Sequence, residues 1–466
     1  MKTIIAIAQN EIKGALRDKR IVLFFAIIFL LVSLSVYSSY VKYSQLKHYR
    51  EHAANEKRHQ WLQQDPKHPH MAAHFGNFAF KPVTPLNWVD YGVDNYTGTY
   101  VYMEPHHQND FVFTPAMEMN ASIRLGELSP ALILQIFVPL LIIFMCFAAL
   151  TKERENGVLK LLNAQGISMQ KLVMGKITGY YTIVCCLLLP MLICMIFSNG
   201  FAGRVALLIL FYAVYFYIIT SLAVLTSAFV KTTRASMLVL LGGGICFAIL
   251  IPRIAANIGA DLYTLPSQET FTAAIAQDIK KGINGHNPDG ARKKAVIAET
   301  LKEYHVDSLS MLPVNIEGIF LQKGEEYSSM VYDVHYGEVQ KTISRQNALT
   351  GLGSFIDPLL AIRSISMTLA LTDPESHIHF QKSAEDYRRR FVQYMNENMT
   401  VHSKTDSWAT YKVGHTAYAG VPVFAYTSPS LSWSLKNIQH EMLALLVWVI
   451  VLVFGLNLFL HKISVV

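Results

Sequence analysis

Six long apolar blocks punctuate this chain, at about 21 to 41, 130 to 150, 177 to 197, 205 to 229, 236 to 256 and 441 to 460. Each is long enough to cross a bilayer as one helix, which takes roughly 20 apolar residues. A backbone in lipid must satisfy its own hydrogen bonds, so the blocks read as helices and the chain as an α-helical polytopic membrane protein with six transmembrane helices. Charged residues make up only 16% of the chain, against about a quarter in soluble proteins. The first block follows Lys13, Arg17, Lys19 and Arg20 as a signal peptide would. It ends in VYSSYVKYSQ without a small-residue cleavage site, which reads as a retained helix.

Lysine and arginine in short connecting segments mark the cytoplasmic side of a membrane. Lys2, Lys13, Arg17, Lys19 and Arg20 precede the first span, and Lys152, Arg154, Lys160, Lys171 and Lys176 fill the 151–176 segment. Lys231 and Arg234 follow the fourth span and Lys462 follows the sixth, whereas the 198–204 turn carries only Arg204. Both termini are therefore expected in the cytoplasm, with a domain over 42–128 and a larger one over 257–440 on the other side. All five cysteines (Cys146, Cys185, Cys186, Cys194, Cys246) lie in apolar blocks, so the hydrophilic regions have no disulfide framework. The +7 formal charge is spread over membrane-flanking segments, which argues against nucleic acid as a partner. Pro139, Pro190 and Pro252 are expected to interrupt or end spans, and Gly242-Gly243-Gly244 to allow close contact or bending.

In the larger domain, periodicity predicts helices over 267–281, 289–305, 316–348 and 374–398. The smaller domain opens with a polar helix continuing the first span to about Gln64. Short strands or irregular structure are expected over 66–116, which is rich in proline, glycine and aromatics. The segments 355–371 and 427–437 are too apolar for solvent and too short to cross. The first is expected flat in the interface or packed on the bundle. Arg388, Arg389 and Arg390 read as a solvated helix face, the other reading being a site for an anionic substrate or lipid headgroup.

Most of the seventeen histidines lie in these domains. His68, His70, His74, His106 and His107 are the candidate ligands should a metal bind, but no cysteine partner or recognised spacing accompanies them, so no metal is expected. His440-Glu441 lacks the second histidine of a zinc protease, since position 444 is Ala. Gly175-Lys176 resembles the end of a phosphate loop, but position 170 is Gln and Ile177 replaces the required hydroxyl residue, so this chain is not expected to bind ATP. No Gly-x-Ser-x-Gly elbow supports an intrinsic enzyme.

The segment KERENGVLKLLNAQG (152–166), followed by a helical stretch ending at Gly175-Lys176, is a charged turn with a short amphipathic helix. Leu159, Leu161 and Leu162 offer an apolar contact to a soluble subunit, and the flanking charges set orientation. With the amphipathic amino-terminal stretch over 1–20 and the span arrangement, this segment resembles the permease subunits of type 2 ABC transporters. The stretches 68–82, 96–109, 357–373 and 384–399 resemble a bacterial subgroup filed under a domain of unknown function. The resemblance implies an elbow helix over 1–20 and a coupling helix over 151–176. Glu153, Glu155, Gly157, Leu159, Lys160, Leu162, Gly175 and Lys176 would then couple to the ATPase, Lys160 standing where many members carry an acidic residue. It also implies two cytoplasmic ABC ATPases that use ATP and Mg, a second identical or homologous permease subunit, surrounding membrane lipid, and the bacterial inner membrane as location. This chain would bind no cofactor. The expected activity is ATP-driven translocation. The alternatives are work delivered to an extracytoplasmic partner without cargo passage, or a scaffold or receptor without an ATPase.

Overall fold

The computed structural model describes residues 1–110, 128–192, 200–283, 289–405, 407 and 410–459. The expectations placed on 111–127, on 193–199 with Cys194, on 284–288 and on 460–466 with Lys462 lie outside the described residues.

Helix α1 (Lys2–Arg17) stops at Asp18, whose carboxylate accepts from Arg20 N at 3.0 Å and so caps α2 (Lys19–Leu62). Only the first half of α2 is apolar, and the rest carries the chain out of the bundle as a stalk. Helix α3 (Pro69–Ala73) and strands β1 (Asn77–Phe80) and β2 (Tyr100–Met103) follow, the strands pairing antiparallel with Asn77 opposite Met103. Then come α4 (Pro130–Glu155), α5 (Val158–Ala164), α6 (Met169–Leu192), α7 (Ala202–Phe229) and α8 (Thr233–Leu262). The remainder is α9 (Gln268–Lys281), α10 (Asp289–Glu303), α11 (Ile316–Gly353), α12 (Pro358–Ala370), α13 (Pro374–His402), α14 (His415–Gly420), α15 (Leu431–Asn437) and α16 (Gln439–Phe459).

Five of these helices (α2, α4, α6, α7 and α8) are long and apolar enough to cross a membrane, and α15 with α16, bent by 64°, makes a sixth if the pair is one span. Of the two effects expected of proline, Pro139 and Pro252 interrupt their spans without ending them. A π-helical turn covers Ile133–Phe137 just before Pro139, and another covers Cys246–Leu250 just before Pro252. The wider turn absorbs the missing N–H and the clash of the ring with the preceding carbonyl, so the helix runs on.

The two hydrophilic stretches, read as separate domains, share one core among the described residues. Trp61 of the stalk, Ala72, Ala79 and Val101 pack with Phe380, Tyr387, Phe391 and Met395 of α13 and with Tyr418 and Val421. Trp61 Nε1 donates to Tyr418 O at 2.9 Å, Asn77 Nδ2 donates to Tyr387 OH at 2.8 Å, and Lys67 and Val413 form an antiparallel bridge. Helices α11 and α13 run antiparallel, so close at Gly318 that a Cβ there would lie 2.3 Å from Thr400 Oγ1.

The arginine triplet of α13 is not a solvated face. Arg388 is buried, its guanidinium held by Glu385 at 2.8 Å and Glu325 at 3.3 Å. Arg389 bonds Asp333 at 2.7 Å and Glu385 at 2.8 Å, and only Arg390 is exposed. The carboxylates that reclassify two of the three arginines come partly from α11, far away in sequence.

His377, 8% exposed at the start of α13, shows what burial does to a titratable group here. Burial, with Lys81 adding to it, pushes its pKa down to about 3, whereas an unfolded histidine titrates near 6.5. Between those values the unfolded chain holds more protons, so stability falls as pH drops from about 6.5 towards about 3. His377→Gln is expected to flatten that acid slope by about 1.4 kcal/mol per pH unit, read as unfolding temperature against pH.

The segment 351–371 enters the bundle. The lower end of α11 and all of α12 form a helical hairpin: Leu359, Ala361, Ile362, Ile365 and Leu369 are buried in the same core as α4 and α7. Trp448 Nε1 donates to Ser354 O at 3.2 Å. That places the hairpin tip about 14 Å along α16 from Gln439, at roughly 1.5 Å per residue. Polar side chains tie its flank to the spans. Ser366 Oγ donates to Asp90 at 2.5 Å and accepts from Tyr212 OH at 3.1 Å, and Gln135 Nε2 donates to Tyr212 OH at 2.9 Å. Arg204, buried at the head end of α7, donates to Pro429 O at 2.7 Å and Ser434 Oγ at 2.9 Å, tying α7 to α15 and the segment before it. Of the two placements expected for 355–371, packing on the bundle is the one found.

Candidate functional site

The 151–176 segment lies at the end of the bundle opposite the head, and two glycines shape it. Gly157, with φ +73°, turns the chain between the end of α4 and the start of α5, a conformation that costs other residues about 1 kcal/mol or more. Gly166, at φ +79°, ends α5: Ile167 N donates to Leu162 O at 3.1 Å and Gly166 N to Asn163 O at 2.9 Å, the bond pair of a left-handed helix stop. Ser168 then caps α6.

One side of this protrusion faces inward. Lys176 Nζ lies 2.6 Å from Glu11 Oε1 and 2.7 Å from Glu153 Oε1, and Tyr180 OH donates to Glu11 Oε2 at 2.7 Å. Gly175 and Gly179 let α1 lie directly on α6: a Cβ at Gly175 would sit 2.6 Å from Ile7 Cβ, and one at Gly179 would sit 2.9 Å from Ala8 O. A second set of bonds grips the turn between α7 and α8. Arg154 donates to Ala228 O and Val230 O, each at 2.6 Å, satisfying carbonyls at the end of α7. Glu155 accepts from Thr233 N at 2.8 Å and Thr233 Oγ1 at 2.9 Å, at the positive end of α8. Ser227 Oγ accepts from the amides of Leu150 and Thr151.

The eight residues selected from sequence therefore separate by position. Glu153, Gly175 and Lys176 face α1, Leu159 is buried in the bundle core, and Leu162 is half-buried. Glu155 is solvent-exposed while capping α8, Gly157 forms the turn, and Lys160 is exposed. The outward face consists of Val158, Lys160 and Leu161, the last 65% exposed. Sequence reasoning missed Glu11, although it is the only acidic residue of α1. It also missed Thr233 and Ser227, which carry no local signal.

The head contains a second cluster. His70 and His74 stand one helical turn apart on α3 and its cap, and His106 enters from the loop after β2. His70 Nε2 lies 3.1 Å from His74 Nε2 and 3.4 Å from His106 Nε2. Burial, then the neighbouring imidazoles of His106, His74 and His68, push the pKa of His70 down to about 4 despite Glu325, so it is neutral at physiological pH. His68 is buried nearby, and His107 points to solvent.

Two family models match the chain. Residues 60–264 match the ABC-2 family transporter protein model, and residues 268–427 match DUF3526, a domain of unknown function. The chain is an ABC-2 family membrane domain joined to a DUF3526 domain. No curated protein and no solved structure matches it. The ABC-2 match contains the whole 151–176 protrusion, and the DUF3526 match contains the hairpin and most of the head. The seam between them, at 264 to 268, is the link between α8 and α9. With its five or six apolar helices, this ABC-2 protein is a multi-pass membrane protein.

Proposed function

We propose that this chain is the permease subunit of an ATP-driven transporter of the bacterial inner membrane, with both termini and the 151–176 protrusion in the cytoplasm and the head outside. The observation that carries this reading is the two-sided protrusion. Its outward face offers Val158, Lys160 and Leu161 to a soluble subunit, while its inward face is bonded to α1, α6 and the α7–α8 turn. A push on α5 is thus delivered to four helices together. The basic residues around the protrusion support the cytoplasmic assignment. Two ATPase copies, using ATP and Mg, supply the push, and a second identical or homologous permease completes the translocation unit. Exposed apolar faces remain on α2 (Leu23, Leu30, Leu34) and α8 (Leu238, Val239, Ile249) for that subunit and for lipid. Alternating access follows from rocking the two bundles.

The hairpin favours a second reading within the same class. It joins the head to α7 and α16 through Ser366–Tyr212 and Trp448–Ser354, so bundle motion reaches the head whether or not cargo passes. In that version the work is done on an envelope partner bound to the head.

The test is co-purification with the cognate ABC ATPase from mild detergent. Leu161→Asp places a charge on the exposed face without disturbing the core, and ATPase retention is expected to fall at least about thirtyfold, the equivalent of a 2 kcal/mol hot spot. Wild-type retention by Leu161→Asp would remove α5 as the docking element. No ATPase bound to the unmodified chain, in detergent or lipid discs, would leave the scaffold or receptor class.

A further inference from the structure

We propose that the head binds one divalent transition-metal ion, of the zinc class, through the Nε2 atoms of His70, His74 and His106, with a fourth coordination position open to solvent. Nothing in the spacing of these histidines foretold it, because the third ligand comes from a different element.

Distance is the first argument. Zinc–imidazole bonds of about 2.0–2.1 Å in a tetrahedron separate the ligand nitrogens by roughly 3.4 Å. The two measured pairs are 3.1 and 3.4 Å, and all three ligand atoms lie within 4.8 Å of one another.

Proton accounting is the second. Glu325 Oε1 lies 2.6 Å from His106 Nδ1, which places the N–H of that ring on Nδ1 and leaves a lone pair on Nε2. Glu104 Oε2 lies 3.9 Å from His74 Nδ1, beyond hydrogen-bond reach, and adds negative charge beside that ring. The unprotonated Nε2 of His106 then faces His70 Nε2, which His74 Nε2 also approaches. With His106 Nε2 unprotonated, at most one of the two short nitrogen–nitrogen contacts at His70 Nε2 can be a hydrogen bond, and a cation among the three satisfies all of them.

The surroundings are built for the purpose. Ligating histidines commonly carry a carboxylate on the other nitrogen, as His106 does here. Glu325 is in turn held by Arg388, and Glu325 Oε1 also accepts from His106 N at 2.7 Å. Tyr332 OH donates to His106 O at 2.9 Å, and Tyr102 OH donates to His74 O at 2.7 Å. These bonds hold His106 at φ +70°, a strained conformation for a side-chain-bearing residue. Three imidazoles without a carboxylate ligand select zinc, copper, nickel or cobalt over calcium or magnesium. The side chains of His74 and His106 are 34% and 41% exposed, which leaves the fourth position to water or an incoming group. Because His106 is anchored on α11 through Glu325 and Tyr332, the ion would also clamp α3 to that helix.

The experiment uses the purified full chain without a histidine tag, stripped with chelator and titrated with Co²⁺ and then Zn²⁺. The expected result is one equivalent of Co²⁺ with the visible absorption of a four-coordinate ion, displaced by Zn²⁺. His74→Ala and His106→Ala are expected to lose about a hundredfold or more in affinity, Glu325→Gln ten- to a hundredfold, and the solvent-facing His107→Ala none. Substoichiometric Co²⁺ without that spectrum in the wild type would overturn the proposal, as would a folded His74→Ala that binds as well as wild type. If the alanine variants do not fold, the wild-type spectrum and stoichiometry decide alone.

Discussion

Lys176→Met is expected to destabilise this protein by about 3 kcal/mol, because removing one member of a buried ion cluster strands the others. The Lys176 side chain is 3% exposed and neutralises Glu11 and Glu153 together. Without it, the carboxylates of Glu11 on α1 and Glu153 on α4 lose the cation they share. Glu11 and Glu153 are 14% and 24% exposed, so some solvent reaches them and the cost belongs at the low end of the range for buried pairs. The unfolding temperature in detergent should fall, and α1 should become the first site of proteolytic cutting. Glu11→Gln with Glu153→Gln in the Lys176→Met background should recover much of the loss, since the stranded charges are then gone. A Lys176→Met protein as stable as wild type would mean that α1 is held by the Gly175 and Gly179 contacts alone.

The corresponding experiment in the head is Arg388→Met, with an expected loss of about 3–5 kcal/mol. Arg388 is 2% exposed, and the carboxylates it serves, Glu325 and Glu385, are 6% and 9% exposed. They have little water to turn to when the guanidinium is removed. Arg388→Lys should recover only part of the loss, because one ammonium cannot reproduce the donors that now reach Glu385 through two nitrogens and Glu325 through a third. Arg390→Ala, on the exposed side of the same helix, should change stability by no more than about 0.5 kcal/mol. Thermal unfolding of the three variants side by side separates a buried tie from a charged surface, and equal effects at 388 and 390 would contradict the burial.

These two clusters also divide what could be read along the chain from what could not. The apolar blocks, the basic bias of the 151–176 segment and the helical runs of the head are local properties. Each follows from which residues lie within a few turns of one another. The amphipathic α1 and the polar stalk of α2 were legible for the same reason, as was a charged turn with a short helix over 152–166. Long-range pairing was not. Glu11 and Lys176 are far apart in sequence, and so are Glu325 and Arg388. A charge gives no local sign of whether its partner will be water or another side chain. The arginine triplet was read as solvated on that account, and Lys176 was assigned to ATPase coupling by resemblance, with no sign of its bonds to Glu11 and Glu153.

By itself, the sequence determined that this chain must lie in a membrane, where spans of about 20 apolar residues satisfy their own backbone. It determined too that a charged, glycine-bounded turn separates the second and third spans. Only the tertiary structure decided which side of that turn is exposed, that 351–371 descends into the bundle, and that His106 joins His70 and His74. Those outcomes depend on contacts between distant segments, whose geometry no single stretch of residues contains.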